Sequence, residues 1–125
     1  MNKPIFGRWL LAMVLLLAPS VASAVGMGRL NVLSSLGQTL NAEVELVSVQ
    51  KEELSTLSAR LASPDAYRQA NLQYGAAAGL RFSIETRPGG QLYIKITSVR
   101  PLNEPFVNLL IELSWASGRL VREYT

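Results

Sequence analysis

Leu80-Arg81-Phe82-Ser83-Ile84-Glu85-Thr86-Arg87-Pro88-Gly89-Gly90-Gln91-Leu92-Tyr93-Ile94-Lys95-Ile96-Thr97-Ser98 is the stretch that decides the fold class. Apolar residues alternate with polar ones on both arms, the period of a strand with one buried face. Leu80, Phe82, Ile84, Leu92, Ile94 and Ile96 all carry even numbers. Facing partners must therefore have position numbers with an even sum, which requires an odd number of loop residues. Pro88-Gly89-Gly90 supplies three, with Pro88 presetting the first turn position and Gly90 taking the left-handed position of a G1 bulge. This register sets Phe82 opposite Ile96 and Arg87 opposite Gln91, with Glu85 diagonal to Lys95. An exposed ion pair of that kind contributes only about 0–1 kcal/mol and reads as surface decoration.

Period two continues outward from this hairpin. Residues 29–33 form a first strand, Ser34-Ser35-Leu36-Gly37-Gln38 a turn or bulged corner, and residues 41–48 a strand with Ala42, Val44 and Leu46 inward. Downstream, Pro101 and Pro105 bracket a loop that cannot join a ladder at those positions. Residues 106–115 are the most apolar strand, with Val107, Leu109, Ile111 and Leu113 facing the core and Leu110 on the opposite face calling for a cover. Ala116-Ser117-Gly118 turns the chain into a last strand, residues 119–124, with Val121 in the core. Trp115 beside Tyr124 reads as rim packing rather than a ligand platform.

Between residues 48 and 74 the period changes. Ser48 or Gln50 caps a short helix whose first turn carries Glu52 and Glu53, with Leu54 and Leu57 on its buried face. Residues 58–62 either continue that helix or form a short strand with Ala59 and Leu61 inward. Ser63-Pro64-Asp65 is a stronger signal: a hydroxyl N-cap, proline at the first helical position and an acid in the first turn. About two turns of helix over residues 64–70 follow, tethered by Tyr67 and Leu72, with a loop over residues 73–79.

About seven short strands with turn signals and a minor helical excursion make an antiparallel, immunoglobulin-like β-sandwich. A small open β-barrel is the alternative architecture, and the strand topology is left open.

The first residues have a separate logic. Lys3 and Arg8 precede an apolar run of ten, Trp9 to Ala18, broken by Pro19 and followed by the small-residue site Ala22-Ser23-Ala24. Residues 1–24 are expected to be a signal peptide cleaved between Ala24 and Val25, because the run reaches half of the ~20 residues a membrane-crossing helix needs. Residues 25–125 are then one exported domain, expected in the periplasm. The chain's 12 basic against 9 acidic residues fall to ten against nine once Lys3 and Arg8 are removed. Such a balance, with mixed signs, gives no footprint for nucleic acid.

There is no cysteine and no histidine. Hydrophobic packing alone must hold the domain, and cysteine nucleophiles, Ser-His-Asp triads and the ordinary zinc, copper and haem ligand sets are excluded. No catalytic, cofactor-binding or metal-binding residue is assigned, and no cofactor or small-molecule substrate is expected. The scattered carboxylates, Glu43, Glu45, Glu85, Glu104 and Glu112 among them, read as solvated faces rather than as a pair for glycosidic cleavage.

Three segments carry a resemblance. Pro101-Leu102-Asn103-Glu104-Pro105-Phe106 leads into an apolar strand ending at Trp115. Gly26 to Leu46 holds a small strand, the corner Leu36-Gly37-Gln38 and an acidic alternating strand. Leu61-Ala62-Ser63-Pro64-Asp65-Ala66-Tyr67 stands at mid-domain. Together they resemble the N-terminal periplasmic domain of the FimV/HubP family, the pole-organising proteins of type IV pilus systems. The family's mid-domain segment reads Leu-Ala-Ser-Pro-Glu-Ala-Phe, so Asp65 and Tyr67 are conservative departures. The family's alternating apolar residues at the position of residues 58–62 favour the strand there.

The resemblance implies a non-enzymatic periplasmic interaction domain contributing to type IV pilus secretin assembly, twitching motility and polar organisation, with periplasmic pilus-assembly proteins as partners. Full-length members continue into a peptidoglycan-binding LysM module, a transmembrane helix and a cytoplasmic part with tetratricopeptide-like repeats. Peptidoglycan binding is expected only through that LysM module, whose residues this sequence lacks. The sequence is accordingly expected to be an N-terminal fragment or a truncated reading frame. Two other classes compete: a peptidoglycan-processing enzyme acting through carboxylates, and a chaperone-like sandwich that lends or receives a strand.

Overall fold

A computed structural model describes residues 25–125; the signal peptide expected over residues 1–24, and Ala24 of its cleavage site, lie outside the described residues. Seven strands make two sheets: β1 (Gly26–Val32), β2 (Thr39–Val47), β3 (Ser58–Leu61), β4 (Leu80–Thr86), β5 (Leu92–Pro101), β6 (Leu109–Trp115) and β7 (Gly118–Tyr124). A helix α1 (Pro64–Gln69) and a single 3-10 turn (Gly75–Ala77) lie between β3 and β4. One sheet has the order β1-β2-β5-β4 and the other β3-β6-β7, with every pairing antiparallel. Lettered A to G in chain order, these are ABED and CFG, the arrangement of a constant-type immunoglobulin domain. The sheets are open, so the architecture is the sandwich and not the barrel.

The core lies between the sheets. Ala42, Val44 and Leu46 of β2 and Ile94 and Ile96 of β5 face Ile111 and Leu113 of β6, all of them buried. The central hairpin forms in the expected register, with Phe82 opposite Ile96 and Ile84 opposite Ile94. Its loop closes through Arg87 N–H to Gln91 C=O at 2.8 Å and Gly90 N–H to Arg87 C=O at 2.8 Å, with Gly90 at φ +91°. Glu85 opposes Tyr93, and its carboxylate accepts from the Ser83 hydroxyl at 3.2 Å rather than pairing with Lys95.

Helix α1 starts where the sequence places it. Ser63 Oγ accepts from Ala66 N–H at 3.1 Å, Pro64 opens the helix, and Ala70, expected inside it, is its C-cap. Tyr67 is fully buried, and its hydroxyl donates to Asn108 C=O and accepts from Leu110 N–H, both at 2.9 Å. Ala62 N–H still bonds to Leu110 C=O at 2.8 Å. The hydroxyl therefore continues the β6 ladder where β3 leaves it, which satisfies polar groups that burial would otherwise orphan.

Several expectations need correction. Residues 51–56 form turns, not the helix expected after Ser48 or Gln50. Glu53 N–H bonds to Gln50 C=O at 3.0 Å, and Thr56 places both its amide and its hydroxyl on Glu53 C=O, each at 3.2 Å, so the segment is two successive turns. Leu54 is consequently exposed, while Leu57 packs against the core. The strand β3 is present, as the second of the two alternatives for residues 58–62. The first strand begins at Gly26 rather than Arg29, and the loop over residues 73–79 contains the 3-10 turn. Pro101 does enter a ladder, opposite Thr39 beyond a register shift in β2, at a strand end where the missing amide is tolerated.

The C-terminal hairpin differs most. Residues 106–108 stay outside the ladder: Pro105 has no amide, Asn108 C=O is held by Tyr67, and β7 reaches only to the Tyr124–Leu109 pair. Leu110 is indeed covered, being buried on the face opposite Ile111. The turn has two residues, Ala116 and Ser117, because Gly118 pairs with Trp115. Counting Gly118 into the turn shifts the register by one and turns every side chain over. Leu120, opposite Leu113, thus packs on the core, and Val121, opposite Glu112, is exposed.

Candidate functional site

Titratable groups are the first place to look for chemistry, and here the buried ones are bound up in structure. Glu112 is the one buried acid among the described residues; Arg60 Nε donates to its Oε2 at 2.9 Å and Arg119 Nη1 to its Oε1 at 3.2 Å. The hydrogen bond from Arg60 holds its carboxyl below the usual range, burial works against this, and the attraction of both guanidiniums adds to it. A general acid needs the opposite shift. Glu43 pairs with Arg87, whose guanidinium also lies 4.2 Å from the centre of the Tyr93 ring. Burial raises the pKa of Tyr67 and of Tyr124. Among the described residues no three acids gather as a metal would require.

The Trp115–Tyr124 pair does not exist as a platform. Trp115 stands opposite Gly118 at one end of the hairpin and Tyr124 opposite Leu109 at the other, six residue steps or about 20 Å away. The indole of Trp115 instead lies over Gly118, where an added Cβ would come within 2.9 Å of it. Tyr124 donates to Gly28 C=O at 2.6 Å, and Arg122 reaches the carbonyl of Met27 while its guanidinium sits 4.9 Å from the Tyr124 ring. These contacts clip β7 of one sheet to β1 of the other.

Beyond the clip the sandwich opens. A groove of about 350 Å³ lies at this end, walled on one side by Leu30 and Val32 of β1 and Leu40 and Ala42 of β2. Val107 and Leu109 form the other wall, and Leu36 and Leu102 close the end. The corner holding Leu36 is built rigidly. Gly37, at φ +86°, donates to Leu102 C=O at 2.8 Å, and Leu102 N–H returns a bond to Gln38 C=O at 2.9 Å. Gln38 Oε1 accepts from Ser35 N–H at 2.9 Å.

Among the described residues, Val32 at 57% and Leu36 at 64% line this mouth as strongly exposed large apolar residues, and Leu33 at 60% and Phe106 at 78% are next to lining residues in the chain. Single exposed apolar residues are ordinary, whereas several beside a groove make it the candidate binding surface of the domain. Sequence reading singled out none of them as a site. The signal it could have used was Val32, Leu33 and Leu36 in and beside a corner, and Phe106 directly after Pro105, where turn residues are normally polar.

Comparison with known proteins adds the relatives. The model of a family described as FimV N-terminal domain, Ig-like domain, matches residues 25–125. The motility hub protein FimV of Pseudomonas aeruginosa, in two strains, is 34% identical over 110 residues, covering 87% of this chain. The chain spans only 12% of the length of those curated relatives. No solved structure matches it.

Proposed function

Since the chain belongs to the FimV N-terminal, Ig-like domain family, we propose that it is a non-enzymatic periplasmic interaction domain serving type IV pilus secretin assembly, twitching motility and polar organisation. The observation that carries this reading is the match over residues 25–125 together with the identity to a motility hub protein. The groove beside the β1–β7 clip gives such a domain a surface on which to bind pilus-assembly proteins. A peptidoglycan-processing role finds no support in Glu112, whose two oxygens are both taken by arginines. Export follows from the leader over residues 1–24.

A domain exchange tests the proposal. In a Pseudomonas aeruginosa strain whose motility hub protein lacks its N-terminal domain, a chimera carrying residues 25–125 of this chain is expected to restore twitching and assembled secretin. A chimera that is stable and exported yet restores neither overturns the role. Fractionation of the full chain, with N-terminal sequencing, should find Val25 as the first residue in the periplasm; an intact form retained in the membrane contradicts the export assignment.

A further inference from the structure

Two features meet at the mouth of the groove. One is the apolar wall of Leu30 and Val32; the other is the backbone of the strand that carries them. β1 is the edge of its sheet, and among the described residues its outer side is occupied at Met27 and Gly28, whose carbonyls accept from Arg122 and Tyr124. A bulge separates Met27 from Leu30. Past it, residues 30–32 make backbone hydrogen bonds to β2 alone among the described residues. An edge strand in that condition is a template for another strand.

We infer that residues 30–32 and the adjoining groove receive an extended, alternating apolar segment of a partner protein, added as a strand to β1 and carrying a basic residue that reaches Glu104. The inference rests on the reading of this domain as an interaction module and names the kind of partner. Three observations select that occupant. The added strand places every second side chain inward, and the wall it meets is mostly apolar, with Val32, Leu36 and Val107 beside the polar corner residues Ser34, Ser35 and Gln38. Glu104 is the charged side chain lining the groove, exposed and without an ion-pair partner among the described residues, so a lysine or arginine complements it. A second copy of the chain presents the same concave mouth, and two concave faces brought together would leave a void instead of filling the groove.

Titration of the full, isotope-labelled chain with synthetic nonapeptides tests this. The peptides have Val or Leu at alternate positions, Thr between them and one Lys near the end; a permuted peptide of the same composition is the control. The alternating peptide is expected to bind saturably, shift the amides of residues 30–32, and exceed the permuted one at least tenfold. Val32→Glu should weaken binding at least tenfold. Leu36→Glu, on the exposed corner, serves the same purpose if Val32→Glu lowers the melting temperature. Glu104→Lys should move the preference from the Lys-bearing peptide to one with Glu in its place. Equal binding of the permuted peptide, absence of shifts at residues 30–32, or self-association shifting those amides without peptide overturns the inference. If the chimera restores twitching while the peptides fail, the interaction role stands and the strand-addition site falls; peptide binding with an inactive chimera has the opposite meaning.

Discussion

Tyr124, in the last strand, donates its hydroxyl to the carbonyl of Gly28 in the first, at 2.6 Å. The two strands belong to different sheets, so this bond and the neighbouring one from Arg122 to Met27 hold the sandwich shut along one edge. Tyr124→Phe keeps the ring and removes only the hydroxyl. The expected loss is about 1 kcal/mol in urea unfolding with an unchanged denaturant slope. A loss within experimental error would mean that the ring, and not the bond, closes the edge.

Tyr67 makes a sharper case, because its hydroxyl serves two backbone groups of β6 at once. Tyr67→Phe leaves the Leu110 amide and the Asn108 carbonyl without their partner, at an expected cost of about 1–3 kcal/mol. Tyr67→Ala adds a cavity in the core, for about 3–5 kcal/mol in all. Hydrogen exchange at the Leu110 amide should accelerate in the phenylalanine variant before global stability falls far. Unchanged protection at that amide would show that it finds another acceptor.

At the hairpin loop, Gly90→Val places a β-branched residue at φ +91° and should destabilise the domain by about 1–3 kcal/mol. Gln91→Thr, one residue on, should be within about 0.5 kcal/mol of the parent. Thermal melts of the two variants side by side check the pair, and equal effects would contradict the assignment of strain to Gly90.

The acid limb of stability should report on Glu112. Its folded pKa lies below the unfolded value, held there first by the hydrogen bond from Arg60. Its contribution is therefore complete above the ordinary carboxylate pKa of about 4.3 and is lost as the pH falls through the lower folded value. Glu112→Gln should cost about 1 kcal/mol near neutrality, since both arginines are largely exposed. The gap in melting temperature between parent and variant should start to narrow as the pH falls below about 4.3 and keep narrowing on further acidification. A gap that stays constant down to pH 3 would remove the carboxylate from the explanation.

Much of this fold is legible from alternation alone. The parity of Leu80 to Ile96 dictates an odd loop, and Pro88-Gly89-Gly90 supplies it. Ser63-Pro64-Asp65 starts a helix through local contacts, which is why its N-terminus is found to the residue. What failed depended on partners distant in the chain. Reading Gly118 as a turn residue puts Val121 in the core. The indole of Trp115, packed over Gly118, shows why that glycine stands in the strand instead. The acidic first turn after Gln50 reads as a helix start, yet Ala116 N–H bonds to Thr56 Oγ1 at 3.0 Å, a tertiary contact that no local pattern reveals. The groove escaped notice for the same reason. Leu36 and Leu102 are brought together only by the bonds between the corner and the loop after β5.

The clip between β1 and β7 also gives the domain a mechanical character. Met27 meets Arg122, Gly28 meets Tyr124, and Thr125 shares the groove wall with Leu30 and Val32, so the two strands run in the same sense. A pull applied between Val25 and Thr125 then draws them past one another lengthwise, and the contacts bear the load together instead of parting one at a time. Single-molecule stretching should show one abrupt rupture, at a lower force in Tyr124→Phe. A domain so wired resists tension along its chain by sharing the load between contacts.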